Sequence, residues 1–435
     1  MKKIFLISLG CPKNRVDSES FLGLAGERGY AVTAFPEEAD ILVLNTCGFL
    51  RTAVEEGRAH LRDLLRVKKK TGAAVILWGC LVQRYPARCA ALPVDGVVGT
   101  GDPAAALSAA DAAMAGRRVV KIPVPACSRF AVHPRLLTTA PYAYLKIAEG
   151  CDNRCAYCLI PSLRGPLHSR PVASLVREAR GLKHIGVKEL ILVAQDTTAY
   201  GRDRKDGVDI VSLLRGLVPL GFPWIRLLYA HPAHVTDRFL GLMAKEKSIC
   251  SYLDIPLQHV HPAIVRRMGR PVMDYRALIE RIRNAVPNVR LRTTVIAGFP
   301  GETEEMFEYL CCFVQDLALD RLGIFAYSRE QGTRAYRFSG QVSEREKTRR
   351  VEILADIQRG ISRKNLRTLA GRTIRVLIDG VERNGYVGRT EYEAPEIDGV
   401  VHVTGTGRKP GDFVTVKILR SDDHDLFGET VDGRR

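Results

Sequence analysis

Apolar and polar positions fall into three successive patterns along the chain. In the first third, short apolar runs at 3–10, 40–46 and 73–79 are of the kind that forms strands buried on both faces. Helix-like stretches at 18–28 and 51–70 separate them, the second with charged amphipathic spacing. Alternating strand and helix predicts a parallel sheet, whose ligands bind beyond the carboxyl ends of the strands. From 120 to 141 proline recurs and periodicity fades, so a linker is expected there. Six further strand candidates follow at 142–148, 189–195, 224–230, 252–257, 290–297 and 321–327, with helix-like segments such as 171–185 and 273–286 between them. Repeated βα units predict a barrel or open barrel with active residues at the carboxyl ends of its strands. Polar or glycine-rich residues stand there, among them Cys151, Gln195, Asp196, His231, Gln258, His259 and the run 298–303; Thr303 also reads as a helix N-cap. A charged helical stretch at 342–369 reads as a solvated connecting helix. Short runs at 372–378, 386–389, 399–403 and 413–418, separated by Gly, Asp and Pro turns, then predict a small β-barrel. The expected architecture is α/β in three domains: a parallel-sheet domain at 1–125, a partial (βα)6 barrel at 137–368 and a small β-barrel at 371–435.

Chemistry enters through cysteine. Cys151, Cys155 and Cys158 are spaced C-x3-C-x2-C directly after the first central strand. Three thiolates so close together suit an iron–sulfur cluster, since cysteine is the usual ligand to each iron. A cubane held by three thiolates keeps one iron open for a substrate or cofactor. Structural zinc is the alternative, but it usually takes four closed ligands, and no fourth Cys or His follows at such spacing. Each apolar run of the first third also ends in a cysteine: Cys11, Cys47 and Cys80. On a parallel sheet the three would meet at one edge, as a second cluster site or as three unrelated buried thiols. Cys89, Cys250, Cys311 and Cys312 read as core residues, and Cys127 as a surface thiol in a loop. The run 298–303 lacks the lysine of a Walker-type phosphate loop.

With Tyr157 just before its third cysteine, the C-x3-C-x2-C motif resembles that of the radical S-adenosylmethionine (SAM) superfamily. The resemblance implies that the open iron chelates SAM and that an electron from the cluster cleaves SAM to methionine and a 5′-deoxyadenosyl radical. Tyr157, Gln195 and Ile296 become candidate SAM contacts from their loop positions in that fold. The stretch 9–19 around Cys11, with Asn45-Thr46-Cys47-Gly48-Phe49 and Gly79-Cys80, resembles the N-terminal domain of the methylthiotransferase family. In that family the matching cysteines hold an auxiliary cluster that delivers sulfur, which implies two 4Fe-4S clusters, on Cys11, Cys47 and Cys80 and on Cys151, Cys155 and Cys158. The C-terminal barrel is similar to a TRAM domain. Pro12-Lys13-Asn14 and the run 160–166 resemble the branch that modifies the β-carbon of an aspartate in small-subunit ribosomal protein S-twelve. The tRNA-adenosine branch tends instead to Gln-Met-Asn after the first cysteine; Leu167-His168 departs from the aromatic–basic pair usual in the first branch. Such a β-carbon C–H bond has no acidity that a side-chain base could exploit at pH 7, so a radical is expected to break it and no catalytic side chain is assigned. SAM then serves as radical source and methyl donor, and a flavodoxin or ferredoxin is the expected electron donor. A tRNA methylthiotransferase and a non-catalytic iron–sulfur protein that docks on ribosomes are the alternatives.

Composition changes this picture only in part. The 435 residues include 65 Lys and Arg against 48 Asp and Glu, a net charge of +17, which suits an anionic or ribonucleoprotein partner. From Gly371 onward the balance reverses, with ten basic and twelve acidic residues. Glu391, Glu393, Glu396 and Asp398 lie close together there and suggest a docking patch for a basic protein. Eleven cysteines in so long a chain fit metal ligands and core thiols in a reducing cytosol better than a disulfide scaffold. The apolar start stops at Gly10, too soon for a signal peptide, and no run approaches the ~20 residues of a membrane span. A cytoplasmic monomer is expected.

Overall fold

The computed structural model describes residues 1–125, 131–138 and 141–431. Six parallel strands open the chain: β1 (Lys3–Ser8), β2 (Ala31–Val32), β3 (Ile41–Thr46), β4 (Ala74–Gly79), β5 (Gly96–Val98) and β6 (Val119–Lys121). They form one sheet in the order β2-β1-β3-β4-β5-β6. The apolar runs are continuous because helices cover both faces. Leu42, Leu44, Val75 and Leu77 pack under the Arg51–Thr71 helix. Ile41, Val43, Ile76 and Trp78 pack under the Pro12–Glu27 and Pro103–Met114 helices. The strands β2, β5 and β6 have only two or three residues each, too few for a period to show. β6 overlaps the start of the expected linker, and residues 131–138 are also tied down. Arg135, 3% exposed, pairs with Glu19 and, at 3.0 Å, with Glu178. The Leu136 N–H donates to the Glu19 carbonyl at 3.1 Å. The proline-rich segment is therefore packed on the first helix by buried ion pairs where it is described. Cys127 lies outside the described residues.

The centre of the chain contributes β7 (Tyr142–Lys146), β8 (Ala148–Glu149), β9 (His168–Ser169), β10 (Glu189–Val193), β11 (Trp224–Leu227), β12 (Tyr252–Asp254), β13 (Arg290–Ala297) and β14 (Arg321–Ala326). Parallel sheets β11-β10-β7 and β12-β13-β14 meet where the Cys250 N–H donates to Ile225 at 3.0 Å and the Ala230 N–H to Asp254 at 2.8 Å. The six main strands thus run in chain order around an open arc, as the sequence predicts; β8 and β9 add a small antiparallel pair. Thr303 caps the Glu304–Leu317 helix as expected, accepting from the Met306 N–H. On that helix Cys312 is exposed and Cys311 half-buried, because adjacent helical positions point about 100° apart and cannot both face the core. Cys89 and Cys250 are buried. The Glu344–Arg367 helix is not simply solvated: Arg350, Leu354, Gln358, Ser362 and Leu366 form a buried stripe along it.

The last strands, β15 (Thr373–Glu382), β16 (Gly385–Arg389), β17 (Val401–Thr404), β18 (Phe413–Ser421) and β19 (Leu426–Thr430), close into a barrel in the order β15-β16-β17-β19-β18. β19 is the strand that the pattern does not announce. The acidic run between β16 and β17 overturns the expectation of a docking patch. Asp398 accepts from the Tyr252 hydroxyl at 2.7 Å and lies 3.5 Å from Arg292. Glu393 lies 3.6 Å from Arg321, and Glu396 pairs with Arg15 at 2.6 Å and with the Tyr142 hydroxyl at 3.1 Å. Glu391 accepts from the Ser251 N–H at 3.2 Å. Behind them Glu189, fully buried, joins Arg226 of β11 to Arg389 of β16. The run turns inward because Arg15 and the arginines of β13 and β14 need carboxylate partners at the domain junction.

Candidate metal centres and active site

Cys11, Cys47 and Cys80 stand at the carboxyl ends of β1, β3 and β4, which are neighbours in the sheet. Cys11 is the N-cap of the Pro12–Glu27 helix, and Cys80 opens the short Cys80–Arg84 helix. Glycine lets them approach. A Cβ on Gly10, whose φ is +95°, would fall 2.9 Å from the Cys47 Cβ, and one on Gly48 would fall 2.5 Å from the Cys80 carbonyl oxygen. Burial pushes the Cys80 thiol up to about 11 against the pull of Arg164, whose Nη2 lies 3.3 Å from its Sγ. Burial also raises Cys47. At Cys11 burial acts the same way but is outweighed by Lys13, Arg164 and the N–H groups of Asn14 and Lys13, so its pKa lies below the ordinary thiol value.

Cys151, Cys155 and Cys158 line the loop between β8 and the Ile160–Arg164 helix. Burial pushes Cys151 up to about 11 and Cys158 up to about 12. Arg270 Nη1 lies 3.8 Å from the Cys155 Sγ. Among the described residues, the group with three ligand atoms mutually within 4.8 Å is Asp196, His231 and His234, and neither cysteine triad closes to that spacing. A lone zinc, with Zn–S bonds of about 2.3 Å, would draw its sulfurs to within about 4 Å of one another. The wider all-thiol triads fit multi-iron clusters better.

The two triads face each other across one domain junction. Cys80 packs against Leu159 and Leu163, next to Cys158. Arg164, 3% exposed, donates to Glu149 through two contacts of 3.0 Å, to Asn14 and to the Cys80 sulfur, and lies 3.5 Å from Asp17. Lys146 bonds Asp17 and, at 2.9 Å, Glu149. Asn14 in turn donates to the carbonyls of Leu9 and Thr46, each at 3.0 Å, and so ties the Cys11 and Cys47 segments together. Lys13, also buried, reaches across to the Ala194 carbonyl.

Of the expected SAM contacts, Tyr157 and Ile296 share an apolar cluster with Phe299 and Met268. Gln195 lies outside that apolar cluster: its Nε2 donates to Glu149 at 3.0 Å, and its Oε1 is buried without a partner. Asp196 accepts from Asn153, inside the cysteine loop, at 3.0 Å and meets His234 Nδ1 at 2.8 Å. Burial, then Arg270, holds the His231 imidazole down to about 3. Tyr229 and Gln258, after β11 and β12, have φ of 64° and 70°, strain that persists where surroundings over-determine the backbone. Sequence reasoning assigned no role to Lys13, Arg164, Glu149 or Arg270. For Lys13 and Arg164 the available signal was a basic residue within six positions of a motif cysteine.

Three family models match: Uncharacterized protein family UPF0004 over residues 3–99, the Radical SAM superfamily over 145–314 and the TRAM domain over 370–431. The chain is 46% identical over 441 residues to the ribosomal protein uS12 methylthiotransferase RimO of Pelotomaculum thermopropionicum, covering 99% of each chain. It is 45% identical to the protein of that name from Desulforudis audaxviator, covering 98% of this chain and 96% of the relative. Among solved structures, the radical S-adenosylmethionine methyltransferase TsrM of Kitasatospora setae, bound to cobalamin and a [4Fe-4S] cluster, aligns with a TM-score of 0.55 at 17% identity over 75% of each chain. The cobalamin-dependent radical enzyme OxsB aligns with a TM-score of 0.51 at 11% identity over 82% of this chain and 56% of its own. These last two share the fold. Full-length identity above 40%, with all three family models in order, places this chain in the radical SAM methylthiotransferase family, on the branch of the RimO enzymes.

Proposed function

We propose that this chain methylthiolates the β-carbon of an aspartate in ribosomal protein uS12, with one 4Fe-4S cluster on Cys151, Cys155 and Cys158 and a second on Cys11, Cys47 and Cys80. The observation that supports this reading is the pair of cysteine triads facing one junction, with Arg164 bonded to supports of both. When bound, the clusters and SAM supply the radical, the sulfur and the methyl group. The chain positions them and shields the junction. Arg164 favours the thiolate forms of Cys11 and Cys80, and Arg270 lies beside the Cys155 sulfur. Tyr157 and Ile296 offer an apolar wall for SAM, and the unpaired Gln195 Oε1 offers an acceptor to its amino group. No side chain needs to act as a base on the substrate carbon. On this reading 1–125 carries the sulfur-delivering cluster, 137–368 the SAM-cleaving one, and 371–435 holds the two together. The setting is the cytoplasm, the enzyme a monomer, and the electron donor a flavodoxin or ferredoxin. No helix among the described residues is long and apolar enough to cross a membrane.

The test compares small-subunit ribosomal proteins and digested tRNA from cells with and without this protein by mass spectrometry. Replacing C–H by C–S–CH3 adds about 46 Da, chemistry delegated to the cofactors. The expected result is that gain on an aspartate peptide of uS12. The same gain on adenosine instead would keep the chemistry and overturn the substrate.

A further inference from the structure

Lys13 is a buried cation without a carboxylate. It is 8% exposed. Its Nζ meets the Ala194 carbonyl at a long 3.3 Å and sits 4.3 Å from the centroid of the Tyr229 ring. An ammonium carries three donors, so its capacity is largely unused. Among the described residues it makes no ion pair, whereas two other buried cations of the junction are paired with carboxylates. Lys146 holds both Asp17 and Glu149, and Arg164 holds Glu149, Asn14 and Cys80. Leaving a buried charge unpaired is costly, and the Tyr229 backbone beneath it is held at a φ of 64°, which adds to the cost. Both costs fall at one point, beside Cys11 and at the end of β10 next to Gln195. Together they describe a site built to receive an anion.

We propose that Lys13 is the substrate-carboxylate subsite: its ammonium, set over the Tyr229 ring at the junction of the two cysteine triads, binds the side-chain carboxylate of the target residue and so fixes the neighbouring β-carbon. This rests on the function proposed above. The competing role for the same charge is to neutralise cluster thiolates, and binding without turnover separates the two. The reconstituted enzyme, without reductant, is titrated with uS12 and with uS12 whose target aspartate is changed to asparagine. The comparison is then repeated for Lys13→Met and Lys13→Arg, with iron content measured on each. Wild type should prefer the aspartate form by about 10- to 100-fold, the range of a hydrogen bond between charged groups. Lys13→Met should bind both forms as weakly as wild type binds the asparagine form, with its iron content intact. Lys13→Arg should keep part of the preference. A Lys13→Met enzyme that still prefers aspartate as wild type does would overturn the proposal, and so would one that loses iron. A wild-type enzyme that neither binds nor methylthiolates uS12 would instead overturn the function itself.

Discussion

Arg164→Leu removes the cation on which the junction converges. Its side chain is 3% exposed and makes two 3.0 Å contacts to Glu149, a further approach to Asp17 at 3.5 Å and bonds to Asn14 and Cys80. In the wild type burial pushes the Glu149 pKa up, but Arg164 and then Lys146 outweigh it and hold the carboxyl well below its usual range. Without Arg164, two buried carboxylates share Lys146 alone. Removing one partner of a buried ion pair costs about 3–5 kcal/mol. For a unit of 150–250 residues each kcal/mol moves Tm by about 2–4 °C, so the melt should fall by at least about 6 °C. The pH dependence is diagnostic. Wild-type Glu149 has a depressed folded pKa, so its contribution is complete above the ordinary carboxylate range and is lost only as pH falls through the folded value. In the variant the largest influence opposing burial is gone, so the Glu149 pKa rises and the buried carboxyl holds its proton to higher pH. Its deficit should therefore grow as pH rises from about 5 to 8, where that proton must leave a buried site. Adding Glu149→Gln restores charge balance and should recover more than half of the loss. Anaerobic calorimetry at several pH values, with iron content measured alongside, reads all three outcomes. A shift below about 2 °C, or a deficit that shrinks as pH rises, would refute the reasoning.

Three further outcomes follow from the same geometry. Cys80→Ala should lose about four irons per chain and all methylthio product while reductive SAM cleavage continues; product retained in that variant would sink the two-cluster reading. Glu189→Gln leaves Arg226 buried without a carboxylate and Arg389 with Asp379 alone, at a cost of about 3–5 kcal/mol, and limited proteolysis should then release a fragment beginning near residue 370, which wild type resists. His231 is held neutral in the fold down to about 3 and charges near 6.5 when unfolded, so wild-type stability should fall as pH drops between those values. The urea midpoint of His231→Gln should be flatter over that window, and an identical slope would remove His231 from the account.

The architecture was legible where periods are long. Continuous apolar runs gave β1, β3 and β4, and six βα units gave the arc. The runs at β2, β5, β6 and β19 span five residues or fewer, and pairing rather than pattern makes them strands. The cysteines were legible because a ligand set is local in type and its position at strand ends follows from parallel topology. Arg164 and Lys13 were visible in the same motifs, but their meaning was not. Arg164 finds Asn14 at a separation of 150 residues, and Lys13 finds Ala194 at 181. The acidic run was misread for the same reason. Four carboxylates in eight residues look like a surface patch until Arg15 and the arginines of β13 and β14 arrive from elsewhere in the chain.

That run also explains why an acidic barrel sits on a basic enzyme. Glu396 touches Arg15, one turn into the helix capped by Cys11, and the Tyr142 hydroxyl at the start of β7. Two carboxylates along the same loop hold the central strands, Asp398 through Tyr252 and Arg292, and Glu393 through Arg321. The loop therefore links the sheet that carries one cysteine triad to the arc that carries the other. Of the three links to arginines, the Arg15–Glu396 pair is the most exposed, with its carboxylate 45% open to solvent, and contributes least by itself. The buried Arg226–Glu189–Arg389 chain costs most to break, and it fixes where the loop must lie. A reaction that hands a group from one cluster to a carbon activated at the other depends on that separation staying constant, since small misplacements cost large factors in rate. On the proposed reaction the C-terminal barrel meets that need through its inward-facing charge, which a surface docking patch would not do.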